Sequence, residues 1–218
     1  LNYFNWFRHS LEPILKCVKS EMGKESNNRK VLLASWEQVR DAFRSKELRQ
    51  AGYSEGAVVM ADTLLDLHGI EHRERRRLEN RLFRREIFSY WEHEILGKTI
   101  DATLGPFVEQ GYGDLSIIGY RCAMNLTATI AGIDQDPRDG DETERLYAIV
   151  KKFSEGATLL HSTRDKDEVR AEVQKAMEIF REDFYKPSFQ KREKIIHQVN
   201  SGELNDESLP KDVLTTLL

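Results

Sequence analysis

A helical spacing of apolar residues runs through most of the chain and restricts its fold more than any other feature. From about residue 71 onward, apolar side chains recur every three or four positions, which is the repeat of one helix face. Within this part, residues 117–133 carry a single charge, Arg121, so this helix is expected to be buried on nearly all sides. The sequence therefore predicts a mainly helical fold.

A small β element is expected near the N-terminus. The apolar run at residues 31–34 is short and uncharged, as a buried strand would be. Directly after it, Ser35 and Gln38 have the spacing of a capping box, which predicts a helix with Trp36 and Phe43 on its buried face.

Glycine and proline predict where the helices are interrupted. Residues 45–69 are irregular and rich in glycine, and a loop of this length in a compact domain usually has a function. Pro187 is expected to end a long helix that carries Val169 and Phe184, because proline cannot donate a helical hydrogen bond. Pro210 is expected to open a last helix.

Composition excludes several classes of protein. A chain of 218 residues with 39% apolar and 32% charged side chains is typical of a folded soluble domain. The net charge of −4 argues against a general nucleic-acid binder, and no apolar run approaches the roughly 20 residues of a membrane-spanning helix. Cys17 and Cys122 are far apart and suit reduced thiols. We therefore expect a cytoplasmic protein with no nucleic-acid partner and no membrane anchor.

The most informative stretch is an Arg-rich helix at residues 68–83. At 100° per residue, His72 and Arg76 fall in one sector, beside the sector of Leu78 and Leu82 that would face the core. A guanidinium and an imidazole at the edge of an apolar surface suit a carboxylate ligand, since arginine binds carboxylate oxygens as a fork. The alternative is that these charges are solvated or paired with neighbouring glutamates.

This stretch resembles a known family. Residues 66–78, followed by Leu82 and Phe83, are similar to the loop and C helix of bacterial-type cytochromes P-450, where Gly-x-Glu-His-x-x-x-Arg-Arg-Leu precedes a Phe by a few residues. The sequence departs from that pattern at His68, where Asp is frequent, and at Arg81, close to a position where Pro is common. The order of the remaining segments resembles the family's fold from its A helix to the start of its H helix, and covers essentially the whole chain.

The resemblance implies a haem-dependent monooxygenase that inserts one oxygen atom of O2 into an organic substrate. It implies that His72 and Arg76 bind the propionates of haem b. The family's Glu-x-x-Arg helix and cysteine-ligand loop have no match in this sequence, and neither Cys17 nor Cys122 stands in such a loop. Residues 1–218 are therefore expected to be a single incomplete domain without catalytic residues or metal ligands, which binds haem weakly when isolated.

The resemblance also implies two binding surfaces. A hydrophobic small-molecule substrate would contact the loop residues Val58, Val59 and Met60, together with Leu160; ordinary packing is the alternative for these side chains. A ferredoxin- or flavodoxin-type electron donor would dock by charge steering on an outward stripe of arginines, which could instead be a solubilising face. The stripe consists of Arg77, Arg81, Arg84 and Arg85.

Two other classes of function fit a helical chain. One is an all-helical binding module that contacts an acidic partner through the Arg-rich helix; net acidity and the lack of interleaved aromatics argue against a nucleic acid as that partner. The other is a helical scaffold without a site, which leaves the long loop at residues 45–69 unexplained.

Overall fold

The computed structural model describes residues 31–45, 47–48 and 53–218. The chain divides into two compact units, Leu1–Leu48 and Arg49–Leu218. In the described part of the first unit, helix α1 spans Trp36–Arg44 and begins with the predicted capping box. The Ser35 hydroxyl accepts a hydrogen bond from the Gln38 amide, and the Gln38 side chain accepts one from the Ser35 amide, both at 3.2 Å.

The predicted β element at residues 31–34 was wrong. The segment belongs to no strand, and its side chains are exposed, with Leu32 at 81%. A strand needs a neighbour to pair its backbone groups, and none of the described residues provides one. The apolar face of α1 is exposed as well, including Trp36 and Phe43, which were expected to be buried.

The second unit consists of helices joined by turns, which confirms the predicted mainly helical fold. In chain order its helices are α2 (Ala57–Met60), α3 (Gly69–Glu79), α4 (Arg85–Tyr90), α5 (Gly97–Gln110), α6 (Leu115–Ala131), α7 (Gly140–Ala157), α8 (Lys166–Phe180), α9 (Lys186–Asn200) and α10 (Val213–Leu217). Across the described residues, no helix combines the length and the apolar character needed to cross a lipid bilayer.

Two pairs of these helices run on as single long helices through a wider turn. A stretch of π-helix at Trp91–Leu96 joins α4 to α5, and another at Arg181–Tyr185 joins α8 to α9. Pro187 lies in the first turn of α9 and does not end the helix, so that prediction was wrong. The π-helical turn interrupts the regular hydrogen-bond pattern just before the proline, which then occupies a first-turn position, where an N–H is not needed.

Aspartates cap several helices of this unit. Asp139 begins α7 by accepting hydrogen bonds from the amides of Asp141 and Glu142, and Asp165 begins α8 in the same way. Asp212 begins α10 by accepting from the Thr215 amide at 2.7 Å, so the last helix starts three residues after the predicted Pro210. Each cap satisfies backbone donors that a helix leaves unpaired at its start.

The core lies where α6, α7 and α8 pack together. Its buried side chains are Ala128, Leu146, Ile149, Ala176 and Phe184. The expectation that residues 117–133 are buried on nearly all sides was wrong, because Ile117, Ala123 and Thr127 are exposed and the buried residues of this stretch are Asn125, Ala128 and Gly132. A second cluster of Leu159, Val169 and Val173 packs against α2.

A buried polar network joins α5, α6 and α7 beside this core. Asn125 is fully buried; its side-chain nitrogen donates to the Thr103 hydroxyl at 2.9 Å and to the Pro137 carbonyl at 3.1 Å. Its side-chain oxygen accepts from the Thr143 hydroxyl and from the Gln135 amide. Both ends of the Asn125 amide are therefore paired, as burial of a polar group requires.

An ion cluster with a buried arginine joins α9, the α6–α7 connection and α10. Arg192 donates from two nitrogens to one oxygen of Asp212, at 3.2 and 3.1 Å, and pairs with Asp134 as well. Both Arg192 and Asp212 are more than nine-tenths buried. Lys191, on the exposed side of α9, contacts the other oxygen of Asp134 at 3.1 Å.

A second ion cluster fastens the turn between α7 and α8. Arg164 donates to Glu155 at 2.8 Å and to Glu172 at 2.6 Å, and Lys152 contacts Glu172 from α7. Hydrogen bonds from Arg164 and then from Lys152 lower the pKa of Glu172 from its ordinary 4.5 to about 2.

This lowered pKa predicts acid sensitivity of the α7–α8 turn. Because the pKa of Glu172 is lower in the folded chain, its charge favours folding above pH 4.5, and this contribution is lost as the pH falls towards 2. Replacing Glu172 with Gln should therefore flatten the dependence of Tm on pH across that interval. Thermal melts followed by circular dichroism measure it, with Glu168→Gln as a control that touches Arg164 from a more exposed position. Identical pH profiles for wild type and Glu172→Gln would contradict the prediction.

Candidate functional site

The Arg-rich helix α3 is anchored through its leucines, as predicted. Leu82 is buried, Leu78 is half-buried, and α10 packs against α3 and the tight turn that follows it at Asn80–Phe83. The remaining side chains of α3 are half-buried or exposed. The helix therefore presents a fixed row of charged groups at the surface of the unit.

His72 and Arg76 lie one turn apart on α3. His72 is half-buried and Arg76 is exposed, with its guanidinium carbon 5.7 Å from the centroid of the Phe83 ring. Among residues 53–218, no carboxylate lies within ion-pair distance of Arg76, whereas the next arginine along, Arg75, pairs with Glu79 at 2.7 Å. The pair is thus an open, cationic donor set that can take an external carboxylate.

An aromatic run borders this donor set, and sequence reasoning did not identify it. The Phe83 and Phe88 rings are 6.2 Å apart, and the Phe88 and Trp91 rings are 5.5 Å apart. Trp91 donates from its indole nitrogen to the Lys211 carbonyl at 2.8 Å, which fixes one end of the run. Phe83 is 58% exposed, so the run presents flat apolar surface beside the guanidinium. The spacing of aromatic residues at positions 83, 88 and 91 is the sequence signal that could have identified this run.

An apolar groove of about 870 Å³ lies between α2, α7 and α8. It is lined by Val58, Val59, Phe153, Gln174, Met177, Glu178, Phe180, Arg181 and Tyr185. The structure thus brings two predicted pocket residues, Val58 and Val59, onto one groove wall. Met60 is buried instead, and Leu160 is 44% exposed and not part of the lining, while its neighbour Leu159 is buried.

The groove wall formed by α2 depends on an unusually close backbone contact. A Cβ atom at Gly56 would lie 2.7 Å from the Gly156 carbonyl oxygen and 2.8 Å from that of Ala157. Only glycine at position 56 lets the start of α2 rest on the end of α7 at this distance. Val59 then packs over Gly156, where a Cβ would meet it at 3.1 Å.

The basic stripe is divided by the structure. Arg77, Arg81 and Arg84 line one surface depression of about 360 Å³, together with Glu74, Leu78 and Asn80. Arg85 is exposed and does not line it. Neither His72 nor Arg76 lines this depression or the apolar groove. The donor pair and the depression are therefore separate features of one helix.

The one cysteine within the described residues has the character of a packing side chain. Cys122 lies in α6, is half-buried and forms no disulfide, and its burial raises the pKa of the thiol. A raised pKa keeps the sulfur protonated, which is the unreactive form. Cys17 lies outside the described residues. Within the described ranges, no group of three or more His, Cys, Asp or Glu side chains could hold a metal ion.

No protein-family model matches this chain, and neither a curated protein nor a solved structure matches it. Function is therefore inferred from the arrangement of its own side chains. The features available for that inference are the His72–Arg76 pair with its aromatic border, the apolar groove, and the basic depression.

Proposed function

We propose that this chain forms the propionate-binding and pocket-forming part of a haem-dependent monooxygenase of the cytochrome P-450 type. The observation that carries the proposal is Arg76, which is exposed, lacks a carboxylate partner among residues 53–218, and lies over the Phe83 ring one turn from His72. Arginine stays charged at any physiological pH and binds a carboxylate as a fork, and the imidazole adds a second donor. These are the donor types that haem propionates require.

The order of the helices supports the same proposal. A short helix in the irregular loop precedes the Arg-rich α3, and a long helix broken by a wider turn follows it. In this proposal α6 would be the family's E helix, the paired α7 and α8 would be its F and G helices, and α10 would be the start of its H helix. The resemblance predicts this order up to the start of the family's H helix, whereas the segment that would hold its A helix lies outside the described residues.

When bound, a haem of this class supplies the iron at which dioxygen is activated. The residues of this chain would hold the haem and bind the substrate. Arg76 and His72 would donate hydrogen bonds to the propionates and offset their charge. Val58, Val59 and Phe153 would bind a hydrophobic substrate and exclude water from it. We assign no iron ligand, since no segment of the printed sequence matches the family's cysteine-ligand loop.

The exposed arginines bear on the proposed electron donor. Arg77, Arg81, Arg84 and Arg85 are all exposed, so an acidic ferredoxin- or flavodoxin-type protein could be steered to them by charge. A small soluble donor of this kind accords with a cytoplasmic enzyme.

A titration with ferric haem tests the propionate assignment. We expect weak binding of protoporphyrin IX iron by the 218-residue protein, and weaker binding of its dimethyl ester, which lacks the carboxylates. Replacing both His72 and Arg76 with Leu should weaken binding of the free acid by about tenfold to a hundredfold, the loss of charge-assisted hydrogen bonds. Arg73→Leu is the matched control, because Arg73 is exposed on the same helix and, among residues 53–218, its side chain bonds only to the Gly69 carbonyl one turn earlier.

The absorption spectrum separates specific binding from adsorption. Equal affinity for the acid and the ester, or no change in the double variant, would mean that haem only adsorbs to apolar surface and would contradict the proposal. The reduced carbonyl complex is not expected to show a thiolate-type Soret band. Such a band would show that a cysteine of this chain binds the iron.

A second candidate is an all-helical binding module that contacts an acidic partner through α3. The exposure of Arg77, Arg81, Arg84 and Arg85 along one stretch of chain is the observation that favours it. The haem titration distinguishes the two candidates, because only the haem proposal predicts that the free acid binds more tightly than the ester and that the His72/Arg76 double variant weakens this binding.

A further inference from the structure

The depression at the end of α3 is concave because the helix breaks there. Arginines at positions 77, 81 and 84 on a straight helix would form a convex stripe, with each side chain pointing away from the axis. After Glu79 the chain tightens into the turn Asn80–Phe83, and Arg84 is extended, with φ −75° and ψ 147°. The side chains before and after the turn therefore surround a common hollow of about 360 Å³.

The charges around this hollow are poorly compensated. Among residues 53–218, no carboxylate lies within ion-pair distance of Arg77 or Arg81, and the one nearest Arg84, on Glu86, is 3.9 Å away. Glu74 is the single acidic residue of the lining. Three positive groups around one hollow repel each other, so binding an anion there relieves the repulsion. The hollow is basic although the chain as a whole has a net charge of −4.

We propose that this depression binds the phosphate group of a small phosphorylated compound. A phosphate group presents three terminal oxygens in a tetrahedral arrangement, which can accept from guanidinium groups on several sides at once. A carboxylate has two oxygens in one plane and is satisfied by a single arginine fork. Three arginines that line one depression, each with five N–H donors, therefore suit phosphate better.

The size of the hollow favours a small ligand over a macromolecule. A volume of about 360 Å³ lies in the range of small-molecule sites. Leu78 and the arginine stems give the depression an apolar floor.

The inference does not rest on the haem proposal, because it uses neither His72 nor Arg76. A phosphorylated compound bound here would occupy three of the four arginines proposed for the electron donor.

Calorimetric titration with inorganic pyrophosphate, at constant ionic strength, tests this site. We expect saturable binding of one equivalent, and weaker binding of malonate, a dicarboxylate. Replacing Arg81 with Gln should weaken pyrophosphate binding about tenfold, as expected for loss of a charge-assisted contact. Arg85→Gln is the matched control, since it removes the same charge from the same stretch but lies outside the depression, and it should change affinity less than about twofold.

Each contrary result overturns the proposal in its own way. Equal losses in Arg81→Gln and Arg85→Gln would mean that only the general field of the stripe attracts the anion. Malonate binding as strongly as pyrophosphate would favour acidic protein side chains as the natural ligand. Absence of measurable heat in the wild type, with a folded chain by circular dichroism, would mean that there is no site.

Discussion

Replacing Arg192 with Met is expected to lower the free energy of unfolding by about 3–5 kcal/mol, the cost of removing one partner from a buried ion pair. Arg192 is 8% exposed and is bound by Asp212, which is equally buried, and by Asp134. Methionine fills a similar volume, so the main loss is the charge. The Asp212 carboxylate would then be left in the interior without a cation. Urea denaturation followed by circular dichroism measures the change.

The neighbouring lysine provides a matched control. Lys191 contacts the same Asp134 at 3.1 Å, but its side chain is 61% exposed. Replacing Lys191 with Met should change the free energy of unfolding by less than about 1 kcal/mol, because exposed ion pairs contribute little. If Arg192→Met and Lys191→Met were equally mild, the buried cluster would not hold α9, α10 and the α6–α7 connection together.

Replacing Gly56 with Ala is the second change with a large expected effect, a loss of about 1–3 kcal/mol from overpacking. The added methyl group would lie within 2.8 Å of two carbonyl oxygens at the end of α7. These are backbone atoms, which cannot rotate away as a side chain can, so α2 must move off α7. We therefore also expect a change in the apolar groove, measurable as altered binding of an apolar fluorescent dye.

A glycine in open space is the control for this substitution. Gly119 lies inside α6, and a Cβ there would meet nothing within 4 Å. Gly119→Ala should raise the free energy of unfolding by about 0.5–1 kcal/mol, since alanine favours the helix. A gain in stability for Gly56→Ala as well would show that α2 and α7 do not meet at this distance.

The features that the sequence predicted correctly are local ones. The Ser35–Gln38 capping box needs only a spacing of three residues, and the helices need only the repeat of their apolar positions. The relation of His72 to Arg76 was predictable for the same reason, because a spacing of four residues places both on one turn of any helix.

The features that the sequence did not predict depend on residues far apart in the chain or on irregular backbone. The run at residues 31–34 has the composition of a strand, but pairing requires a second strand that local composition cannot provide. Pro187 does not end its helix, because a π-helical turn precedes it. Leu159 is buried whereas the adjacent Leu160 is exposed. The turn between α7 and α8 decides which of these two neighbouring side chains faces the core.

At the candidate site, the sequence predicted the charges but not their grouping. A helical wheel places all four arginines of the stripe together, whereas the structure places Arg85 at the start of α4, outside the depression that the other three line. The aromatic run was missed because the Phe88 and Trp91 rings come from the following helix. Whether two neighbouring elements meet is decided by tertiary packing, which a single helix pattern does not contain.

The two oxygens of Asp212 make the last helix part of a larger cooperative unit. One oxygen accepts from the Thr215 amide that begins α10, and the other accepts from Arg192 in α9. A helix of five residues has little stability of its own. Fraying of α10 would release Asp212 and leave the Arg192 guanidinium without one of its partners. We therefore expect this short segment to be better protected against local opening than a five-residue helix without these contacts.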